Sequence, residues 1–294
     1  MNMQNVNTES GQLQIRVTSR FDAIPVEGAR IRISYPGDPD STLEELITNS
    51  SGMTNMIELN APPADFSLTP DNTNQPYSIY TLEITAAGFE SIVINGAQIL
   101  AAVKAIQEVQ LTPEQQGRGE YYVIPDHALY SVCPSKIAED EIKPVNEGGD
   151  IVLRHLVIPE FIVVHDGSPN DKSAQNHYIR YRDYIKNVAS NEIYATWPAD
   201  TLRANILAIM SFTLNRVYTD HYRNKGYDFT ITSSSEHDQI WIPNRNVYDT
   251  ISDTVDELFL NYLSRPNVRQ PILTQYCDGQ RVSCPNWMTG LQGR

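Results

Sequence analysis

A carboxyl group walled by apolar side chains keeps its proton near neutrality and can deliver it to a leaving oxygen. Glu192 sits in the run NVASNEIYATWP, with Ile193, Tyr194 and Trp197 close enough in sequence to build such a wall. Its plainer reading is a solvated charge near a helix end, or a dipole partner for the helix that Pro198 opens. Glu236, His237 and Asp238 form the other dense titratable group of the C-terminal half. They read as an exposed polar loop, with a supporting role toward Glu192 as the chemical alternative. Asp278, in a Tyr-Cys-Asp-Gly turn, reads as a turn former rather than a second carboxylate. Cys277 and Cys284 lie in QYCDGQRVSCP, near enough to pair or to remain two free thiols. The 6 histidines are scattered singly, and no H-x-x-x-H or C-x-x-C pair sets up a zinc site. Neither a metal nor a cofactor is expected.

The elements that must position these groups change character along the chain. From about residue 11 to 112 the pattern is β. GQLQIRVTSR alternates Leu13, Ile15 and Val17 with polar neighbours, the mark of a strand with one buried face. GARIRISYP repeats this with Ala29, Ile31 and Ile33, and YSIYTLEITAAGFESIVI reads as two strands joined at Ala87 and Gly88. VKAIQEVQLTP closes the set, and the frequent turn signals make it a β-sandwich. Residues 113–150 are polar and rich in Gly, Pro and charge, a linker with one strand at YYVIP. IVLRHLVIPEFIVVHDG then opens a second domain, 151–294, with one or two strands.

After that the period becomes helical. Tyr181, Tyr184, Ile185 and Val188 fall at i, i+3, i+4 and i+7 spacing. Pro198 opens a second helix, with Thr196 or Trp197 at the cap, and the pattern runs on to a stop at Gly226. Its apolar residues, from Leu202 to Leu214, cover nearly all sides, so it is a buried core helix. DTISDTVDELFLNYLSR is a third helix, capped at Asp249, with Ile251, Val255, Leu258, Phe259 and Tyr262 on one face. The fold class is multi-domain: an all-β sandwich followed by an α+β domain built on a buried central helix.

Charge narrows the function classes. Residues 1–120 hold 15 acidic and 6 basic side chains, a balance of −9 out of −14 for the whole chain. Such a field repels phosphate backbones and anionic lipid, so neither nucleic acid nor a membrane surface is an expected partner. A neutral substrate, or one held by short-range contacts, fits better. No apolar run reaches the roughly eighteen residues of a membrane span. The start, MNMQNVNTESGQ, lacks the basic and apolar regions of a secretory leader, which leaves localisation open. With only 3 cysteines the chain is not a disulfide scaffold.

The stretch YIKNVASNEIYATWPADTLRANILAIMSFTL, Tyr184 to Leu214, resembles the hallmark of the SpoIID/LytB (stage II sporulation protein D) family. That hallmark is a "YL-x-GVV-x-x-E-M" segment followed by "W-P-x-E-A-L-K-A-Q-A-V-A-A-R-(T/S)-(Y/F)-A". Tyr184, Ile185, Val188, Glu192, Ile193, Trp197, Pro198, Leu202, Ala204, Ala208 and Phe212 fall on its marked positions. TSSSEHDQIW resembles the segment ending in "Q-x-Y", with Gln239 on the glutamine and Trp241 on the tyrosine. RQPILTQYCDG resembles "x-P-I-x-A-x-Y-x-S-x-x-G", giving Tyr276 and Gly279. Asn205 stands where the family has glutamine, and NWMTGLQGR departs from the family's "G-x-S-Q-x-G-A". More softly, "IPVEGARIRIS", "TNSSG" and "YTLEITAAGFES" resemble a transthyretin-like or carboxypeptidase-regulatory sandwich, which implies an adaptor with a protein partner.

The family resemblance implies action on peptidoglycan glycan strands at the cell wall or spore. Glu192 then maps onto the catalytic glutamate of lytic transglycosylases, which cut the MurNAc–GlcNAc bond and leave 1,6-anhydro ends. Tyr194, Trp197, Gln239, Tyr276 and Asp278 become the expected substrate contacts, Trp197 as a stacking platform if it is not a core aromatic. The alternatives are a non-catalytic wall-binding or amidase-enhancing module, and a structural component of a wall-directed assembly.

Overall fold

The computed structural model describes residues 8–69, 72–115, 117–129, 155–277 and 288–289. The chain divides into two compact units, residues 1–126 with 243–250, and residues 127–242 with 251–294.

The first unit is the expected sandwich. Its strands are β1 (Glu9–Ser19), β2 (Arg30–Tyr35), β3 (Asp38–Ile47), β4 (Ile57–Ala61), β5 (Tyr77–Thr85), β6 (Ile92–Leu100), β7 (Lys104–Leu111) and β8 (Glu120–Val123), with one short helix, α1 (Asp65–Leu68). The second unit contributes β9 (Phe161–His165), β10 (Asn176–Arg180), α2 (Tyr181–Glu192), α3 (Ala199–Tyr218), a 3-10 turn (Arg223–Lys225) and β11 (Ile231–Thr232). The chain continues through β12 (Val247–Tyr248), α4 (Asp249–Leu258), β13 (Tyr276–Cys277) and β14 (Met288–Thr289).

One sheet of the sandwich has the order β12-β7-β1-β4 and the other β3-β2-β5-β6-β8. The alternation read from the sequence is the reason: Leu13, Ile15 and Val17 of β1 and Ile31 and Ile33 of β2 are sealed from solvent. Leu82 and Ile84 of β5 and Ile92 and Ile94 of β6 complete the same core. The sheet extends past residue 112, the expected end of the β pattern, because β8 pairs in parallel with β6, Ile92 opposite Glu120 through Asn95 opposite Val123. A second addition comes from far along the chain, where Val247 and Tyr248 pair antiparallel with Ile106 and Ala105 of β7.

Side chains hold that returning segment. Asn246 imitates a strand backbone: its Oδ1 accepts from the Gln98 N–H at 3.0 Å and its Nδ2 donates to the Gln98 carbonyl at 2.9 Å. Arg245, 4% exposed, donates to Gln98 Oε1 at 2.6 Å. Burial lowers its guanidinium pKa from the usual arginine value. Asp249, the first residue of α4, takes the N–H of its neighbour Thr250 on Oδ1 at 2.7 Å.

The core of the second unit is α3. Leu202, Ile206, Ala208, Ile209, Phe212 and Leu214 are all buried, as a helix apolar on every side requires. It begins at Ala199 with Pro198 itself at the N-cap, in place of the expected Thr196 or Trp197. It ends at Tyr218 rather than Gly226, since Asp220 turns left-handed at φ 49° and breaks the ladder. Gly226, φ 86°, caps the 3-10 turn instead. α2 presents Tyr181, Tyr184, Ile185 and Val188 inward, all fully buried. β10, antiparallel to β9, runs to Arg180 and passes directly into α2 at Tyr181. α4 buries Ile251, Val255 and Leu258 and stops there.

Candidate functional site

Glu192 is the last residue of α2, and Ile193 leaves the helix with φ −136° and ψ 153°. The short connector Ile193–Pro198 then leads into α3. A helix end strands carbonyls that need partners, and a loop between two buried helices must find them nearby. The segment 240–242 runs along this end of α2 and bonds its polar side chains. Ile240 N–H donates to Glu192 Oε1 at 2.9 Å. One turn earlier on α2, Asn187 takes the Ile242 N–H on its Oδ1 at 3.0 Å and donates its Nδ2 to the Ile242 carbonyl at 2.8 Å. Asn191 donates back to Asn187 Oδ1 at 3.0 Å. Asn187, Asn191 and Glu192 thus form one polar face of α2, fully shielded at Glu192, which is 0% exposed.

The expected contact residues divide between this face and the core. Tyr194 is half-buried, its ring 4.5 Å from that of His127 and edge-on to Trp197 at 5.9 Å. Trp197 is 5% exposed and fills the core beside the start of α3. Gln239 is buried and internally satisfied. Its Oε1 accepts from Thr213 Oγ1 at 2.7 Å and Tyr184 Oη at 3.3 Å, and its Nε2 donates to the Ile209 carbonyl at 3.1 Å. The structure therefore gathers Glu192, Tyr194 and Trp197 around one connector and brings Gln239 next to the residue that bonds Glu192. The Tyr276 side chain and Asp278 lie outside the described residues, as do Cys133, Cys284 and the Cys277 side chain.

The Glu236–Asp238 segment corrects the loop reading. Glu236 is exposed, but Asp238 is fully buried in an ion pair with Arg216 of α3, 2.7 Å from Nε to Oδ1. Tyr222 Oη at 2.6 Å, Thr232 N at 2.9 Å and Thr232 Oγ1 at 2.7 Å all donate to its Oδ2. Burial alone raises the Asp238 pKa, but the Arg216 charge and these donors outweigh it and hold the carboxylate below its ordinary value. Burial, then the Asp238 charge, pushes the Tyr222 phenol far above its usual range. Tyr184 is raised in the same way, by burial first and then by the charges of Asp238 and Glu192. A cavity of about 230 Å³ opens beside the ion pair, lined among others by His221, Tyr222, Lys225, Tyr227 and His237.

Arg216, Asn187 and His127 escaped the sequence reading. An arginine at the polar end of an apolar helix looks solvated, and an asparagine in a helix carries no local signal of its partner. No cluster of three metal-ligating side chains occurs among the described residues. No helix among the described residues is long and apolar enough to cross a membrane.

Residues 170–259 match the model of the SpoIID family, described as stage II sporulation protein. That stretch contains α2, the connector, α3 and the Glu236–Ile242 segment. No curated protein matches. Among solved structures, the chain is similar to the Bacillus anthracis TIE protein at 14% identity and a TM-score of 0.26, covering 36% of this chain and 17% of that one. Hydroxyquinol 1,2-dioxygenase from Pseudomonas putida DLL-E4 is similar at 12% identity and a TM-score of 0.26, with coverage of 39% and 60%. The minor pilin GBS52 of Streptococcus agalactiae follows at 14% identity and a TM-score of 0.25, with coverage of 37% and 47%. The chain thus spans less than two thirds of each of these proteins.

Proposed function

We propose that the second unit acts on peptidoglycan, and that Glu192 is the acid/base of a lytic transglycosylase reaction on glycan strands. What carries the reading is the place of Glu192 inside the SpoIID match, at the end of α2, with its carboxyl held by the Ile240 N–H at 2.9 Å. Cleavage of a β-1,4 glycosidic bond needs a proton on the leaving oxygen while positive charge gathers on the ring. The Glu192 carboxyl donates that proton as the C1–O bond breaks. The sugar's own C6 hydroxyl oxygen then bonds to C1, and its proton returns to the Glu192 carboxylate. The products are a 1,6-anhydro end and a new free hydroxyl end, with no water consumed and the glutamate restored. Tyr194, half-buried beside the connector, is the aromatic surface that a sugar ring meets, and Tyr276 and Asp278 are proposed further contacts. Trp197 and Gln239 act from beneath, as support for the connector and for Ile240.

The acidic sandwich serves as an adaptor toward a protein partner, and the site of action is the cell wall or spore. One observation favours a second reading, a wall-binding module without turnover: Glu192 has no solvent exposure and its Oε1 is already engaged. Mass spectrometry of purified glycan strands, incubated with the protein and with its Glu192→Gln variant, separates the two. Anhydro ends from the parent alone support the enzyme. Retention on wall sacculi without products supports the binder, and equal cleavage by both proteins removes Glu192 from the chemistry.

A further inference from the structure

Two main-chain carbonyls flank Glu192, and both are held by a segment from outside the family-matched stretch. Ala128 N–H donates to the Asn191 carbonyl at 3.1 Å. His127 Nε2 lies 3.2 Å from the Ile193 carbonyl. A carbonyl oxygen only accepts, so Nε2 is the nitrogen that carries the proton in this contact. The same imidazole packs against Tyr194 at 4.5 Å with the planes 36° apart, and Tyr194 in turn meets the edge of Trp197. Residues 127 and 128 therefore brace the chain one residue before and one residue after Glu192, where α2 still takes the Ile193 N–H on its Ala189 carbonyl but offers no helical donor to the carbonyls of Asn191 and Ile193.

We propose that His127 is a positioning residue for Glu192, setting the direction in which the carboxyl faces a bound glycan. The proposal rests on the reading of Glu192 as acid/base. Ile240 N–H fixes one oxygen of the carboxyl, but a side chain is aimed by its backbone as well. With the Ile193 carbonyl released, the peptide between Ile193 and Tyr194 is free to turn, and the connector that carries Tyr194 shifts against the Glu192 carboxyl. Misplacement by an ångström at a reacting group costs on the order of a hundredfold in rate. His127 acts through the connector and not on the reacting atoms, so its loss falls more heavily on turnover than on affinity, which its packing against Tyr194 also touches.

The test uses the full chain with His127→Ala and His127→Gln, the latter keeping an N–H donor near the position of Nε2. Single-turnover release of anhydro ends is measured against glycan-strand concentration. The expected result is a fall of about 10- to 100-fold in kcat for the alanine variant, larger than any change in KM, with most of the rate recovered by glutamine. Equal rates for parent and alanine variant overturn the proposal, as does a change confined to KM. A parent that yields no anhydro ends overturns the enzyme reading separately. Positioning is then judged by carboxyl-carbon NMR of Glu192: an alanine variant whose Glu192 signal and titration match the parent's refutes it, and a displaced titration restored by glutamine upholds it.

Discussion

Replacing Asp238 by asparagine tests the polar centre of the second unit most directly. The change keeps shape and volume but removes the negative charge that faces Arg216 across a 2.7 Å contact with side-chain exposures of 1% and 0%. Breaking a buried pair from one side costs about 3–5 kcal/mol, because the surviving charge stays desolvated. Here the guanidinium keeps its bond to the His237 carbonyl at 3.1 Å and lies 4.9 Å over the Phe212 ring. Those contacts do not neutralise it. Asparagine must also offer an oxygen to Tyr222 and Thr232 while its amide points at a cation, so a cost near the upper end of that range is expected. Denaturant unfolding followed by tryptophan fluorescence measures it, with Trp241 and Trp197 both buried in this unit.

The pH dependence gives the sharper test. The Asp238 pKa is depressed in the fold, so its contribution is fully present above its ordinary value of 3.8 and is lost as pH falls through the lower folded value. The gap between parent and Asp238→Asn should therefore be constant near neutrality and close only below pH 3.8. A cost below about 1 kcal/mol, as for exposed pairs, would refute the argument. So would a gap that closes already near neutral pH. The double variant Arg216→Met with Asp238→Leu should lie much closer to the parent than either single change, since no charge is left stranded.

Other expectations follow from single contacts. Gln239→Leu takes the acceptor from the buried Tyr184 hydroxyl, while Thr213 keeps its bond to the Ile209 carbonyl at 3.1 Å, so a cost of about 1–3 kcal/mol is expected and an unchanged melting curve would show that this glutamine is not structural. Asn246→Ala leaves the buried Gln98 N–H without its partner at about the same cost; hydrogen exchange at Ala105 and Ile106 should accelerate as β12 detaches. Gly96 sits in a β-bulge between β5 and β6 at φ 102°, with room for a Cβ blocked by the Ile124 carbonyl at 2.4 Å. Gly96→Ala should destabilise the sandwich by about 2 kcal/mol or more, read by calorimetry, and a neutral result would mean that the bulge relaxes.

What could be read without coordinates was whatever repeats locally. Leu13, Ile15 and Val17 announce a half-buried strand, and the apolar circumference of α3 announces a core helix, because both patterns follow from the period of one element. β3 escaped because it is an edge strand with Leu43 and Ile47 both exposed, so it carries no alternation to detect. Glu192, Tyr194 and Trp197 could be placed on one connector because they adjoin in sequence. Asn187 with Ile242 and Arg216 with Asp238 are pairings across 55 and 22 residues, and no composition or period encodes them. His127 fell inside a stretch read as linker on its polarity, yet a residue that braces another chain segment needs only one donor and one ring.

The return of residues 243–250 to the sandwich has a consequence for synthesis. As the nascent chain leaves the ribosome, β1 through β8 emerge first, and the open edge of β7 waits until β12 has been made. An unpaired strand edge in that interval is a template for the wrong partner, including another copy emerging nearby. Gene fragments ending near residue 126 freeze the chain in that state permanently. They are expected to self-associate through β7, whereas a fragment in which the 243–250 segment is spliced on through a flexible linker stays monomeric.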